Sequence, residues 1–253
     1  MKKATQPLVI ANWKMNPRTL AEAKQLFVGI RAAARKAKEV TVLVAPPAVY
    51  LSDVTRLSPS GAVGIAAQNI WPEPVGAQTG EISAPMVRSC GATHVIIGHS
   101  ERRAQGEDDA VVAKKISAVL ANRLLPIVCI GERVRDDSGD FYAIVEAQIT
   151  AAVEGRKKAE VGRMVIAYEP IWSIGTGKTP QAEEIQEMRL FIDKCITNHY
   201  DRATAAKVQV LYGGSVNAKN ASTLHAEAGM DGFLVGGASL DSNVFGEIIT
   251  AVR

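Results

Sequence analysis

Cysteine is scarce: Cys90, Cys129 and Cys195 are an odd count at wide spacing, with no CxxC pair. That pattern argues against a disulfide framework and against a thiolate zinc site. Aromatic residues are only 5% of the 253, so the core must be built mainly from Ala, Val, Ile and Leu. No run of like charge exceeds a few residues, and the net charge is only +3, which leaves nucleic-acid binding without support. A small basic excess still helps to draw in an anionic substrate. No apolar stretch approaches the ~20 residues of a membrane span. Behind Met1-Lys2-Lys3, the run Leu8-Val9-Ile10-Ala11 stops at Asn12, too short for a signal-peptide core. A reducing cytoplasm is the expected compartment, with no membrane partner.

What is present is a rhythm. Short, nearly all-apolar runs recur at Leu8–Asn12, Val40–Ala45, Val63–Ala67, His94–Ile97, Pro126–Ile130, Met164–Tyr168, Val208–Tyr212 and Gly232–Val235. They do not alternate cleanly, which suits parallel strands buried on both faces. Amphipathic segments lie between them, at Thr19–Lys38, Asp109–Asn122, Phe141–Ala152 and Ala182–Asn198. Eight strands give a unit of roughly 32 residues, the size of a strand-loop-helix repeat. No Pro/Gly/Ser-rich linker divides the chain. The expected fold is α/β, a single (β/α)8 barrel over residues 1–253 with eight parallel strands and eight helices. A doubly wound open sheet shares the alternation but normally carries a glycine fingerprint after its first strand. Here Asn12-Trp13-Lys14-Met15-Asn16 follows, with no glycine.

In such a barrel the C-terminal strand ends converge on one face. They carry Asn12 and Lys14, then Gly98-His99-Ser100-Glu101-Arg102, Glu169, Gly213-Gly214-Ser215 and Gly236-Gly237. Singly, each has an ordinary explanation as a solvated charge, a structural hydrogen bonder or a turn. Around one mouth they form a set. Glu169 can remove a proton, His99 can polarise or protonate an oxygen, and Lys14 can stabilise developing negative charge. Ser215, the N–H groups at Gly213-Gly214 and Gly236-Gly237, and Gly175 can cradle a phosphate. The set describes proton abstraction beside a carbonyl on a small phosphorylated substrate.

Several near-misses narrow the field. Gly177-Lys178-Thr179 ends like a P-loop, but Trp172 occupies the place of its first glycine. Neither Gly98–Arg102 nor Gly213–Asn217 closes with the glycine of a serine-hydrolase elbow. The four histidines lack metal-site spacing, and His94, inside a strand, is expected to be a satisfied core histidine. No metal or organic cofactor is indicated. Two further segments stand out. The stretch from Ile171 to Lys178, bounded by Pro170 and Pro180, reads as a lid. The irregular stretch Gln68–Glu81 reads as a functional or interface loop.

At these residues the sequence resembles the triosephosphate isomerase family. The carriers are Ala11–Asn16, Gly80–Ser83, Gly98–Arg103, Tyr168–Trp172, Gly175–Lys178, Tyr212–Val216 and Asp231–Gly237, in order and at barrel spacing. The resemblance implies interconversion of glyceraldehyde 3-phosphate and dihydroxyacetone phosphate through an enediol(ate), in glycolysis and gluconeogenesis, without a cofactor. It implies that Glu169 shuttles the proton and that neutral His99, helped by Asn12, polarises the carbonyl. Lys14 offsets charge, Glu101 supports Lys14, and Gly175, Ser215, Gly236 and Gly237 hold the phosphate. It also implies a homodimer in which the Gln68–Glu81 loop brings Thr79 to the partner's site, with Met15 in the socket. Ile171, Ser173 and Pro180 depart mildly from the family's usual lid residues, and Ala104-Gln105 replaces a more apolar pair. A barrel aldolase using Lys14 as a Schiff base would leave Glu169 and the phosphate glycines without a task. A non-catalytic scaffold would not need all four of Asn12, Lys14, His99 and Glu169.

Overall fold

The computed structural model describes residues 6–59, 61–136, 138–173 and 180–253. Eight strands form a closed barrel in sequence order, every pair parallel. They are β1 (Leu8–Asn12), β2 (Thr41–Ala45), β3 (Gly64–Ala67), β4 (His94–Ile97), β5 (Leu125–Ile130), β6 (Val165–Tyr168), β7 (Gln209–Tyr212) and β8 (Gly232–Val235). Each lies within one residue of its expected bounds at either end.

The absence of alternation has a structural cause. One set of strand side chains, among them Ile10, Leu43, Ile96, Ile127, Ala167 and Leu234, packs inside the barrel. The intervening set, including Val9, Val44, Val95, Val128, Ile166 and Val210, packs outward against the helices. Both faces are dry, so both must be apolar.

The helical layer is less regular than eight repeats. Among the described residues it comprises α1 (Leu20–Lys36), α2 (Leu51–Arg56), α3 (Ala84–Ser89), α4 (Ser100–Ala104), α5 (Asp109–Ala121), α6 (Asp140–Val153), α7 (Lys158–Val161), α8 (Ala182–His199), α9 (Arg202–Ala205), α10 (Ala218–Ala226) and α11 (Ser242–Ala251). Extra single turns arise where a connection carries its own cap. Asp201 caps α9 through Thr204 N–H, and His99 caps α4. No described helix is long and apolar enough to cross a membrane.

His94 is half-buried at the start of β4, its Nδ1 2.8 Å from Thr93 Oγ1. Burial pushes its pKa down to about 4. The Gln68–Glu81 loop is irregular, and an isolated bridge pairs Trp71 with Ser83. Its larger apolar residues divide: Ile70 is buried in the layer between strands and helices, Trp71 is half-buried, and Val75 is exposed.

Candidate active site

The strand ends surround a cavity of about 540 Å³. Asn12, Lys14, His99, Glu101, Glu169, Gly213 to Ser215, Gly236 and Gly237 all line it. Of the site residues expected from the sequence, only Gly175 is missing from this set, because it lies outside the described residues. Ser100, Ala104 and Ile171 join the lining.

His99 is the N-cap of α4. Its Nδ1 accepts from the Glu101 backbone N–H at 3.2 Å. Only a ring nitrogen without a proton can accept, so in this arrangement the imidazole proton sits on Nε2. That Nε2 lies 3.1 Å from Glu169 Oε1, and Glu169 Oε2 accepts from the Ser100 N–H at 2.9 Å. Both carboxylate oxygens therefore rest on donors from the end of β4, in surroundings where Glu169 is 2% exposed.

Glu169 follows β6 directly, and its neighbours make room for it. A Cβ on Gly213 would sit 2.8 Å from Glu169 Cγ, so the first β7 turn residue has to be glycine for the carboxylate to lie there. Behind it, the buried Cys129 thiol is pushed well up by burial and then by the Glu169 charge.

Lys14 sits opposite, with its ammonium 2.6 Å from Glu101 Oε1. Its backbone is left-handed at φ 52°, a conformation that costs a side-chain-bearing residue ~1–3 kcal/mol. Two partners hold it there. Lys14 N–H donates to Asn12 Oδ1 at 3.1 Å, and Lys14 C=O accepts from Gln68 Nε2 at 2.8 Å.

The start of the expected lid is a single turn, Ile171–Ser173. Ile171 and Trp172 are half-buried rather than fully exposed. The reason is Glu132, a wholly buried carboxylate at the end of β5. Its Oε1 accepts from Tyr168 Oη and Trp172 Nε1, both at 2.8 Å. Burial pushes the Glu132 carboxyl up, while those donors pull it down. The rest of the expected lid, residues 174–178, lies outside the described residues. Pro180, beyond them, is buried.

Sequence reasoning missed Gln68 as a support, along with Glu132 and the Ser100 N–H. It also missed a buried cluster behind α4. Lys115 Nζ, on α5, donates to Glu107 Oε1 at 2.5 Å and to Asn69 Oδ1 at 2.8 Å. Arg102 Nε, on α4, reaches the same Glu107 oxygen at 2.6 Å. Their signal is long-range and polar, and it has no periodicity to read.

Comparison with known proteins places this geometry in a lineage. A family model described as triosephosphate isomerase matches residues 7–252. The protein of that name from Rhodopirellula baltica is 42% identical over 246 residues, covering 96% of each chain. Its counterpart from Chloroflexus aurantiacus is 43% identical over 245 residues, 96% of this chain and 98% of the relative. The one from Moorella thermoacetica is 41% identical over 246 residues, again 96% and 98%.

Proposed function

The chain belongs to the triosephosphate isomerase family, and from that premise we propose how its own residues perform the reaction. The enzyme interconverts D-glyceraldehyde 3-phosphate and dihydroxyacetone phosphate. Glu169 takes a proton from the carbon beside the carbonyl. The electron pair of that C–H bond becomes the carbon–carbon double bond of an enediolate, and negative charge builds on the carbonyl oxygen. His99 Nε2–H donates to that oxygen with Asn12 beside it, and the Lys14 ammonium stabilises the charge. The former carbonyl oxygen takes a proton from His99 Nε2. The hydroxyl on the deprotonated carbon gives its proton back to that nitrogen as its oxygen becomes the new carbonyl, and Glu169 returns its own proton to the former carbonyl carbon. One carboxylate serves both because the two carbons are adjacent.

The observation that carries this reading is the 3.1 Å separation of Glu169 Oε1 from His99 Nε2 at one cavity wall. The same cavity is lined by Lys14 and by the two glycine turns after β7 and β8. Ser215, Gly236 and Gly237 hold the phosphate, joined by Gly175. The phosphate does not react. Gripping it orients the substrate so that remote binding energy is used at the reacting carbon. Glu101 holds Lys14 in place. A Schiff-base reaction at Lys14 would leave Glu169 and the glycine turns after β7 and β8 without a task.

The working form is a homodimer in the cytoplasm. Met15 is 93% exposed and Val75 80% exposed, and Thr79 lies open in the same loop. Thr79 of one protomer approaches the Asn12, Lys14 and His99 end of its partner, with Met15 in the socket.

The direct test is purified protein with glyceraldehyde 3-phosphate, following dihydroxyacetone phosphate through a coupled NADH-consuming reaction. Rapid turnover supports the assignment. A folded protein that binds phosphate but does not turn over contradicts it.

A further inference from the structure

Glu169 is gripped from the β5 side by a three-residue segment. Ile130 C=O accepts from Glu169 N–H at 2.8 Å, and Glu132 C=O accepts from Ile171 N–H at 3.0 Å. Between those two carbonyls stands Gly131. Its backbone presses so closely on the base that a Cβ would fall 1.8 Å from the Glu169 carbonyl oxygen. The next residue supplies the carboxylate that holds Tyr168 and Trp172, on either side of the base.

A trans peptide points its C=O and the following N–H in opposite directions. Since Ile130 C=O faces β6, Gly131 N–H faces away from it. β4 ends at Ile97, so no strand continues alongside Gly131 to receive that group. A side chain takes the place of the missing strand. Gln148, buried in the middle of α6, accepts from Gly131 N–H through Oε1 at 2.8 Å. Its Nε2 donates to Gly131 C=O at 3.2 Å. One amide thus satisfies both backbone groups of one residue, as a neighbouring strand would.

We propose that Gln148 is a positioning residue for the catalytic base: it fixes the Ile130–Glu132 segment and, through it, Glu169 and the anchor of the lid. Gln148 does not line the cavity, so it acts only through that segment. The inference rests on Glu169 being the base. A displacement of the reacting carboxylate on the order of 1 Å is enough to cost ~10²-fold in rate. A buried amide with no task beyond satisfying a loop would cost stability and leave the chemistry alone.

The test is Gln148→Met, which keeps the length and removes both hydrogen bonds, measured with the full-length protein. The expected result is a kcat lower by ~10–100-fold. The KM for glyceraldehyde 3-phosphate and the affinity for inorganic phosphate should stay within about 2-fold, because the glycine turns on β7 and β8 are untouched. In a Glu169→Gln background the same substitution should cost nothing further, since the base it positions is gone. Gln148→Asn keeps the amide but shortens the reach. It gives the same readout if the Met variant fails to fold. An unchanged kcat overturns the proposal, and so does an equal fractional loss in both backgrounds. A wild-type protein without isomerase activity would instead overturn the assignment of Glu169.

Discussion

The side-chain amide of Gln68 donates to the backbone carbonyl of Lys14 at 2.8 Å, and to Ala45 C=O at the same distance. The first residue of the proposed interface loop therefore holds the strained backbone of Lys14. Lys14 would otherwise relax from φ 52° toward the common negative-φ region, carrying its ammonium off the cavity.

Gln68→Leu should lower kcat/KM by ~5–30-fold, the equivalent of one or two hydrogen bonds at about 1 kcal/mol each. KM should rise along with the fall in kcat, because Lys14 meets charge in both substrate and intermediate. Steady-state kinetics check this. A variant with wild-type kcat/KM would show that the Lys14 backbone needs no such support.

The Lys115–Glu107 pair is a second buried dependence. Lys115 is 1% exposed, and burial pulls its pKa down while Glu107 raises it. Glu107→Gln leaves a buried ammonium without its countercharge, and should cost ~3–5 kcal/mol in urea unfolding. Replacing both, Glu107→Gln with Lys115→Met, should recover much of that loss. A single variant within about 1 kcal/mol of wild type would contradict the pairing.

The barrel strands were legible because both of their faces are buried, so their runs are nearly all apolar. The candidate site residues were legible because polar residues at such strand ends have one place to go. Gln68, Gln148 and Lys115 were not. Gln68 finds its partner 54 residues away, and Lys115 finds Asn69 46 residues away. A polar residue on an amphipathic helix reads as solvent-facing until the fold shows what it meets. Ile70 and Trp172 misled in the opposite sense. Each looked like surface in need of a partner, yet Ile70 packs into the layer between strands and helices and Trp172 is held by Glu132.

His94 sets part of the acid response. Its pKa falls from 6.5 to about 4 on burial, so the folded protein binds that proton less readily than the unfolded chain. The contribution is full above about pH 6.5 and is lost as the pH falls toward 4. It amounts to about 2 kcal/mol between pH 7 and pH 5. Unfolding free energies for wild type and His94→Gln at the two pH values should differ in slope by about that amount. Equal slopes would remove His94 from the account.

Thr79→Arg places a bulky charge on the loop that is proposed to insert into the partner. Sedimentation should show monomer at concentrations where wild type is dimeric, with kcat falling in step. A fully active monomer would contradict the interface proposal.

The central claim is that Glu169 moves the proton. The most direct measurement compares wild type with Glu169→Gln on glyceraldehyde 3-phosphate, together with the affinity of each for inorganic phosphate. The account predicts a kcat lower by ~10²–10⁴-fold with phosphate affinity unchanged. Near-normal turnover in the variant would contradict it.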